Sequence, residues 1–152
     1  NVGLPTFYTL VRTIDWLAKN NLRDRFSVII AGGLTTPGHF LKAMALGADA
    51  IYIGTIALLA AMHTQITKTL PQAPPSQLAL YTGHLTDKLD VDLAGGHLAK
   101  FLTSCVTEMQ LAVQAVGKSS VTQLDRSDLV TVEKDLAEFA AIRYAGSHRD
   151  EK

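Results

Sequence analysis

Cysteine is nearly absent from this sequence, which holds a single one, Cys105. An internal disulfide is therefore excluded, and so is a metal site built from several thiolates of this chain alone. Neither sign of charge is in excess, with 14 Lys plus Arg against 14 Asp plus Glu. A protein that follows a phosphate backbone needs a basic stripe, so no nucleic-acid partner is expected. The first residues lack a basic n-region and an apolar h-region, and no methionine opens them. The chain reads as a piece of something longer, expected in the cytoplasm. An unbroken apolar run is also missing. Residues 43–62 carry one charge, Asp49, and come closest to the ~20 residues of a membrane span. Gly47 and Gly54 divide them, however, so a strand buried between two helices is the better reading, without membrane insertion by this segment.

What is present is an ordinary globular composition: 47% apolar over 152 residues is enough for one packed core. The opening "GLPTFYTLVRTIDWLAKNN" reads as a helix, with Thr6 as its cap and Phe7, Leu10, Val11, Ile14 and Leu17 on one face. A strand at about 27–31 follows, with no polar alternation, as expected for a strand covered on both faces. A second helix has Thr35 or Thr36 as cap, Pro37 near its first position and Gly47 past its end. A second buried strand is expected at about 50–54, and a very apolar helix runs from there to about 64. This is a βαβα unit with a right-handed crossover. The domain reading is 1–64 for these βα units, 65–86 for a proline-containing connector, 87–146 for a helical tail and 147–152 for a disordered end. In the tail, Leu98, Phe101, Leu102, Cys105, Met109, Ala112, Val113 and Val116 form one stripe, and Ser127 or Asp128 is the expected cap of a later helix.

Both apolar strands end in glycine where a helix should begin: Gly32-Gly33 after the first, Gly54-Thr55 after the second. A phosphate dianion wants converging N–H donors and little side-chain bulk, and a helix start adds unpaired amides. If the strands are parallel neighbours, both turns lie at one sheet edge, about 5 Å apart. Gly32, Gly33, Leu34, Gly54 and Thr55 are then the candidate anion-binding residues. A single such turn is ordinary strand-to-helix geometry; two in register make the functional reading the stronger one. The repeat of Ala-Gly-Gly at 94–96 is a control: it follows the alternating "VDLA" and is expected to break or start a helix and bind nothing.

In barrels of eight parallel strands, the loops after the seventh and eighth often form such a phosphate site. The segments "GLPTFYTLVRTIDWLAKN", "SVIIAGGLTTPGHFLKAMALGADAIYIGT" and "LAKFLTSCVTEMQLAVQAVGKSSVTQLDRSDLV" resemble the FMN-binding domain of glutamate synthases, near the end of its (β/α)8 barrel. The fold class is thus expected to be α/β, the C-terminal βαβα part of a TIM barrel followed by a helical tail, and the barrel is incomplete. The resemblance implies FMN, with the 5′-phosphate at Gly32, Gly33, Gly54 and Thr55, and glutamate formation by reductive amination of 2-oxoglutarate or a related imino- or oxo-acid reduction. It also implies that catalytic groups lie upstream of Asn1, so none is assigned here and the chain alone is expected to be inactive. Members of the family hold a 3Fe–4S cluster after the last strand. Residues 60–83 contain no cysteine, with Met62-His63 about where the first is expected, so that cluster is not expected here. Loss of its cysteines leaves a non-catalytic binding or scaffold domain as the alternative, and a phosphate-binding barrel without flavin as a third reading.

Other residues carry less. Cys105 lies on an apolar stripe and reads as a packed thiol. His39, His63, His84, His97 and His148 show no metal-ligand spacing, so no metal site is expected; Trp16 reads as packing, and Asp49 as a structural hydrogen-bonding group before the second strand. An isolated piece with two barrel strands is expected to self-associate through its exposed edges, which sedimentation would check.

Overall fold

The computed structural model describes residues 3–146, in two units. One is formed by residues up to Tyr52 together with those from Glu108 onward; the other runs from Ile53 to Thr107. The expected disordered end at 147–152 lies outside the described residues.

In the first unit, α1 (Thr6–Lys19) is amphipathic and buries Leu10, Val11 and Leu17. Pro5 occupies the cap position and no side chain caps the helix. Thr6, the expected cap, is instead the first helical residue, and its hydroxyl donates to the carbonyl of Gly32 at 2.8 Å. β1 (Ile29–Ala31) and β2 (Ala50–Tyr52) pair in parallel, with Ile29 opposite Ala50 and Ala31 opposite Tyr52. Both are shorter than the sequence suggests, and they are not covered on both faces: Ile29 is 49% exposed and Tyr52 64%. Only Ile30 of these six residues is buried.

Between the strands, α2 (Pro37–Ala45) begins as the sequence predicts. Thr36 accepts from the His39 amide and Pro37 stands in the first turn, where its missing N–H costs nothing. The helix is closed by Gly47, whose φ of +105° suits glycine alone, and an added Cβ there would come within 3.1 Å of the Ile14 side chain. Phe40, Ala43, Ala45 and Leu46 are buried.

An ionic brace fixes the amino ends of both strands. Arg23 donates to Asp49 at 2.8 Å and to the carbonyls of Phe26 and Gly47, while Asp49 accepts from the Val28 amide at 2.7 Å. The Arg23 hydrogen bond is the main reason the Asp49 carboxyl sits below its ordinary pKa. The structural role expected of Asp49 is the one it has.

The later part of this unit departs from the sequence reading. Short 3₁₀ turns at Val121–Gln123 and Arg126–Asp128 are capped by Ser120 and Asp125, not by Ser127 or Asp128. Two-residue strands β3 (Val130–Thr131) and β4 (Arg143–Tyr144) pair in parallel around the helix Lys134–Ala140. Strands this short carry no periodicity to read. Trp16 also differs from expectation: it is 58% exposed.

Lys118 joins the capped turns by donating to Asp125, Asp128 and the Gln123 carbonyl. Asp125 is pulled down to about 2, first by its hydrogen bonds from Ser127 and then by Lys118. A depressed carboxyl contributes stability above its unfolded value and loses it as pH falls through the folded one. Stability is therefore expected to fall between the ordinary 3.8 and about 2. Asp125→Asn is expected to flatten the thermal-melting profile across that window; an unchanged slope would contradict the assignment.

In the second unit, α3 (Thr55–Met62) is apolar all round and buries Met62. The proline-containing stretch then folds into short turns and α4 (Ser76–Ala79), with Leu78 fully buried. Gln65 and Thr69 are buried too. The Gln65 side chain donates to the Asp90 carbonyl at 2.9 Å and accepts from the Asp90 amide at 2.8 Å and from Lys68 at 2.7 Å. α5 (Val91–Ala115) starts here and ends in the first unit. Gly95 and Gly96 lie within it, so they neither break nor start a helix. Of its predicted stripe, Cys105 and Val113 are buried, whereas Leu102 and Val116 are exposed. No helix among the described residues is long and apolar enough to cross a membrane.

Candidate functional site

Parallel pairing of β1 and β2 sends both chains out of the sheet at one edge. In the first unit that edge carries Gly32, Gly33 and Leu34. Gly32 has φ +115° and Gly33 φ +71°, conformations that an L side chain resists. Thr6 holds the Gly32 carbonyl, and an added Cβ on Gly32 would stand 3.0 Å from the Thr6 hydroxyl oxygen. Gly33 has open space where its Cβ would be. Among the described residues no acceptor answers the amides of Gly33 and Leu34. The next amide, that of Thr35, donates to His39 Nδ1 at 3.3 Å, which leaves the proton of a neutral ring on Nε2.

A cavity of about 600 Å³ opens at this turn, lined by residues 3–7, Gly32, Gly33, Leu34 and His39. Among the described residues that line it, none carries a charged side chain. Its polar character comes from backbone, the Thr6 hydroxyl and the His39 ring. Successive amides in a turn of positive φ form a concavity suited to an anion, and no cation is needed to complete it. Sequence reasoning did not single out Thr6 or His39 here. The signal was available only in part: Thr6 looked like a helix cap, and its true contact lies 26 residues along the chain.

In the second unit, Gly54 precedes α3 and Thr55 is its first residue. No side chain caps this helix, and an added Cβ on Gly54 would meet nothing within 4 Å. Its first-turn amides are accordingly left without a side-chain acceptor at the positive end of the helix dipole. Also in this unit, the rings of His63 and His97 lie 4.7 Å apart, a proximity that their sequence spacing did not indicate. His63 Nδ1 is engaged with the Ala60 carbonyl at 2.9 Å. No group of three or more His, Cys, Asp or Glu among the described residues could hold a metal ion.

A family profile described as "Conserved region in glutamate synthase" matches residues 1–119. The chain belongs to this glutamate synthase family. Among its relatives is a glutamate synthase large subunit-like protein of Rhizobium meliloti, 28% identical over 97% of this chain and 37% of that protein. The archaeal glutamate synthase [NADPH] of Methanocaldococcus jannaschii is 27% identical over 96% of this chain and 29% of its own length. An archaeal-type glutamate synthase [NADPH] of Dehalococcoides mccartyi reaches 43% identity over 40% of this chain and 12% of that protein. The chain thus spans well under half the length of these relatives of the glutamate synthase family. No solved structure matches it.

Proposed function

We propose that this chain is part of an FMN-dependent, glutamate synthase-like oxidoreductase, in which its Gly32–Leu34 turn holds the cofactor's 5′-phosphate. The observation that carries the reading is the Gly32–Leu34 turn: two unanswered amides, positive φ at both glycines and an uncharged cavity in front of them. The donor set fits a phosphate, since backbone amides bind one without competing bulk. In this reading Gly32, Gly33 and Leu34 hold the group through the turn after β1.

The fold reading belongs with it. β1 and β2 are taken as the last two strands of a (β/α)8 barrel, whose phosphate site is commonly built from the loops after those strands. The exposed Ile29 and Tyr52 are then surfaces that the other strands cover. Bound flavin would supply electrons to a 2-imino acid formed from 2-oxoglutarate and ammonia. This chain's own residues orient the cofactor by its charged end; Thr6 fixes the turn by holding the Gly32 carbonyl. The full-length protein is expected to purify yellow and to release FMN on denaturation, read by absorbance and chromatography of the released cofactor. A colourless protein that takes up no added FMN would refute the proposal.

A second reading rests on the cysteine content. With Cys105 alone, the chain offers no set of thiolates for an iron–sulfur cluster, so a family member without that electron route is the alternative. Photoreduced flavin that 2-oxoglutarate with ammonia does not reoxidise would favour this binding or scaffold role.

A further inference from the structure

A second cavity, of about 390 Å³, lies in the first unit among α1, α2 and the segment that carries β3, β4 and the helix Lys134–Ala140. Its size falls within the ordinary range of small-molecule sites. Phe7, Tyr8 and Phe139 give it an aromatic side, and the Tyr8 and Phe139 rings lie 4.4 Å apart at 30°. Leu136 and Ile142 continue the apolar wall. Among the described residues the only formally charged one in the lining is Lys42, and none of them brings a carboxylate. The Lys42 ammonium enters no ion pair or hydrogen bond among the described residues. Its place in the last turn of α2 suits the helix dipole. That accounts for a cation, but not for an aromatic-lined hollow beside it.

We propose that this cavity binds a small carboxylic acid with an aromatic body, the rings of Phe7, Tyr8 and Phe139 taking the body and the Lys42 ammonium the carboxylate. Charge complementarity selects the acid over a neutral molecule of the same shape, because an ammonium beside an apolar hollow gains most from an anion that brings its own apolar cover. The inference is independent of the flavin reading. Pro5, Phe7 and His39 line this cavity and the glycine-turn cavity alike, so the two sites share a wall.

The test uses the full-length protein and two probes, 1-naphthaleneacetate and the uncharged 1-naphthaleneacetamide, titrated by saturation-transfer NMR. The acid is expected to bind at least about tenfold more tightly than the amide, the scale of one charge-assisted hydrogen bond. Lys42 is exposed, so Lys42→Met should fold normally; it is expected to erase that preference while leaving the amide's affinity unchanged. Leu136→Trp, which fills the hollow, should remove binding of both probes. Equal affinity for the two probes in the unmodified protein, no binding of the acid at millimolar concentration, or a preference that survives Lys42→Met would each overturn the proposal.

Discussion

Gly33→Asp in the full-length protein is expected to abolish flavin retention, with affinity for FMN reduced at least about a hundredfold. The argument starts from the two open amides of Gly33 and Leu34. Each hydrogen bond to a phosphate contributes about 1.5–3 kcal/mol, and about 1.4 kcal/mol corresponds to a decade in affinity. A carboxylate placed on Gly33 opposes the dianion and competes for both donors. Fold disruption is not the expected cause. A Cβ on Gly33 meets nothing within 4 Å, and Asp and Asn are the side chains that best tolerate φ +71°. Gly33→Asn is therefore the control: same shape, same backbone demand, no charge. It is expected to keep FMN within about tenfold of the unmodified protein, allowing about 1–2 kcal/mol for the left-handed backbone. Equal yellow colour in the Asp and Asn variants, measured as flavin per polypeptide, would remove the phosphate from this turn.

The second large effect concerns stability. Gln65 is 1% exposed and answers both the amide and the carbonyl of Asp90, a carbonyl that also accepts from the Ala94 amide. Lys68 donates to the same side-chain oxygen and also to the Lys88 carbonyl. Gln65→Leu keeps the volume but strands the Asp90 amide and removes one contact of an ammonium, while the Asp90 carbonyl keeps the Ala94 amide at 3.0 Å. An unsatisfied buried group costs about 1–3 kcal/mol, so a loss of about 2 kcal/mol is expected in urea denaturation. Gln65→Glu keeps the acceptor for the Asp90 amide and Lys68 but faces the Asp90 carbonyl with no donor, and it should cost less. Hydrogen exchange at the Asp90 amide should accelerate in the same order, Leu before Glu. The reverse order would show that the pairing with Asp90 is incidental.

How much of this was legible beforehand follows the range of the interactions involved. The second helix could be read to within about a residue, its cap left between Thr35 and Thr36, because its signals are local: Thr36, Pro37 and Gly47 act on backbone within one turn of themselves. The brace role of Asp49 could be placed because the residue stands at a strand entrance, although its partner Arg23, 26 positions away, could not be named. Thr6 was misread for the same reason in reverse, since a hydroxyl at a helix start has a good local use and its distant one leaves no local trace. The strands were located but taken as covered on both faces. Ile29 is apolar by type, which is what the reading relied on, yet the structure shows that side chain half exposed. β3 and β4 were missed because two residues hold no pattern. At the glycine turn, sequence identified the residue types; dihedrals, unanswered amides and the cavity required coordinates.

The Arg23–Asp49 brace and the glycine turn sit at opposite rims of the same two strands. That separation divides mutational risk. Substitutions around Gly33 leave the guanidinium clamp on Phe26, Gly47 and Asp49 untouched, so one rim is free to vary while the other continues to set the spacing of the sheet.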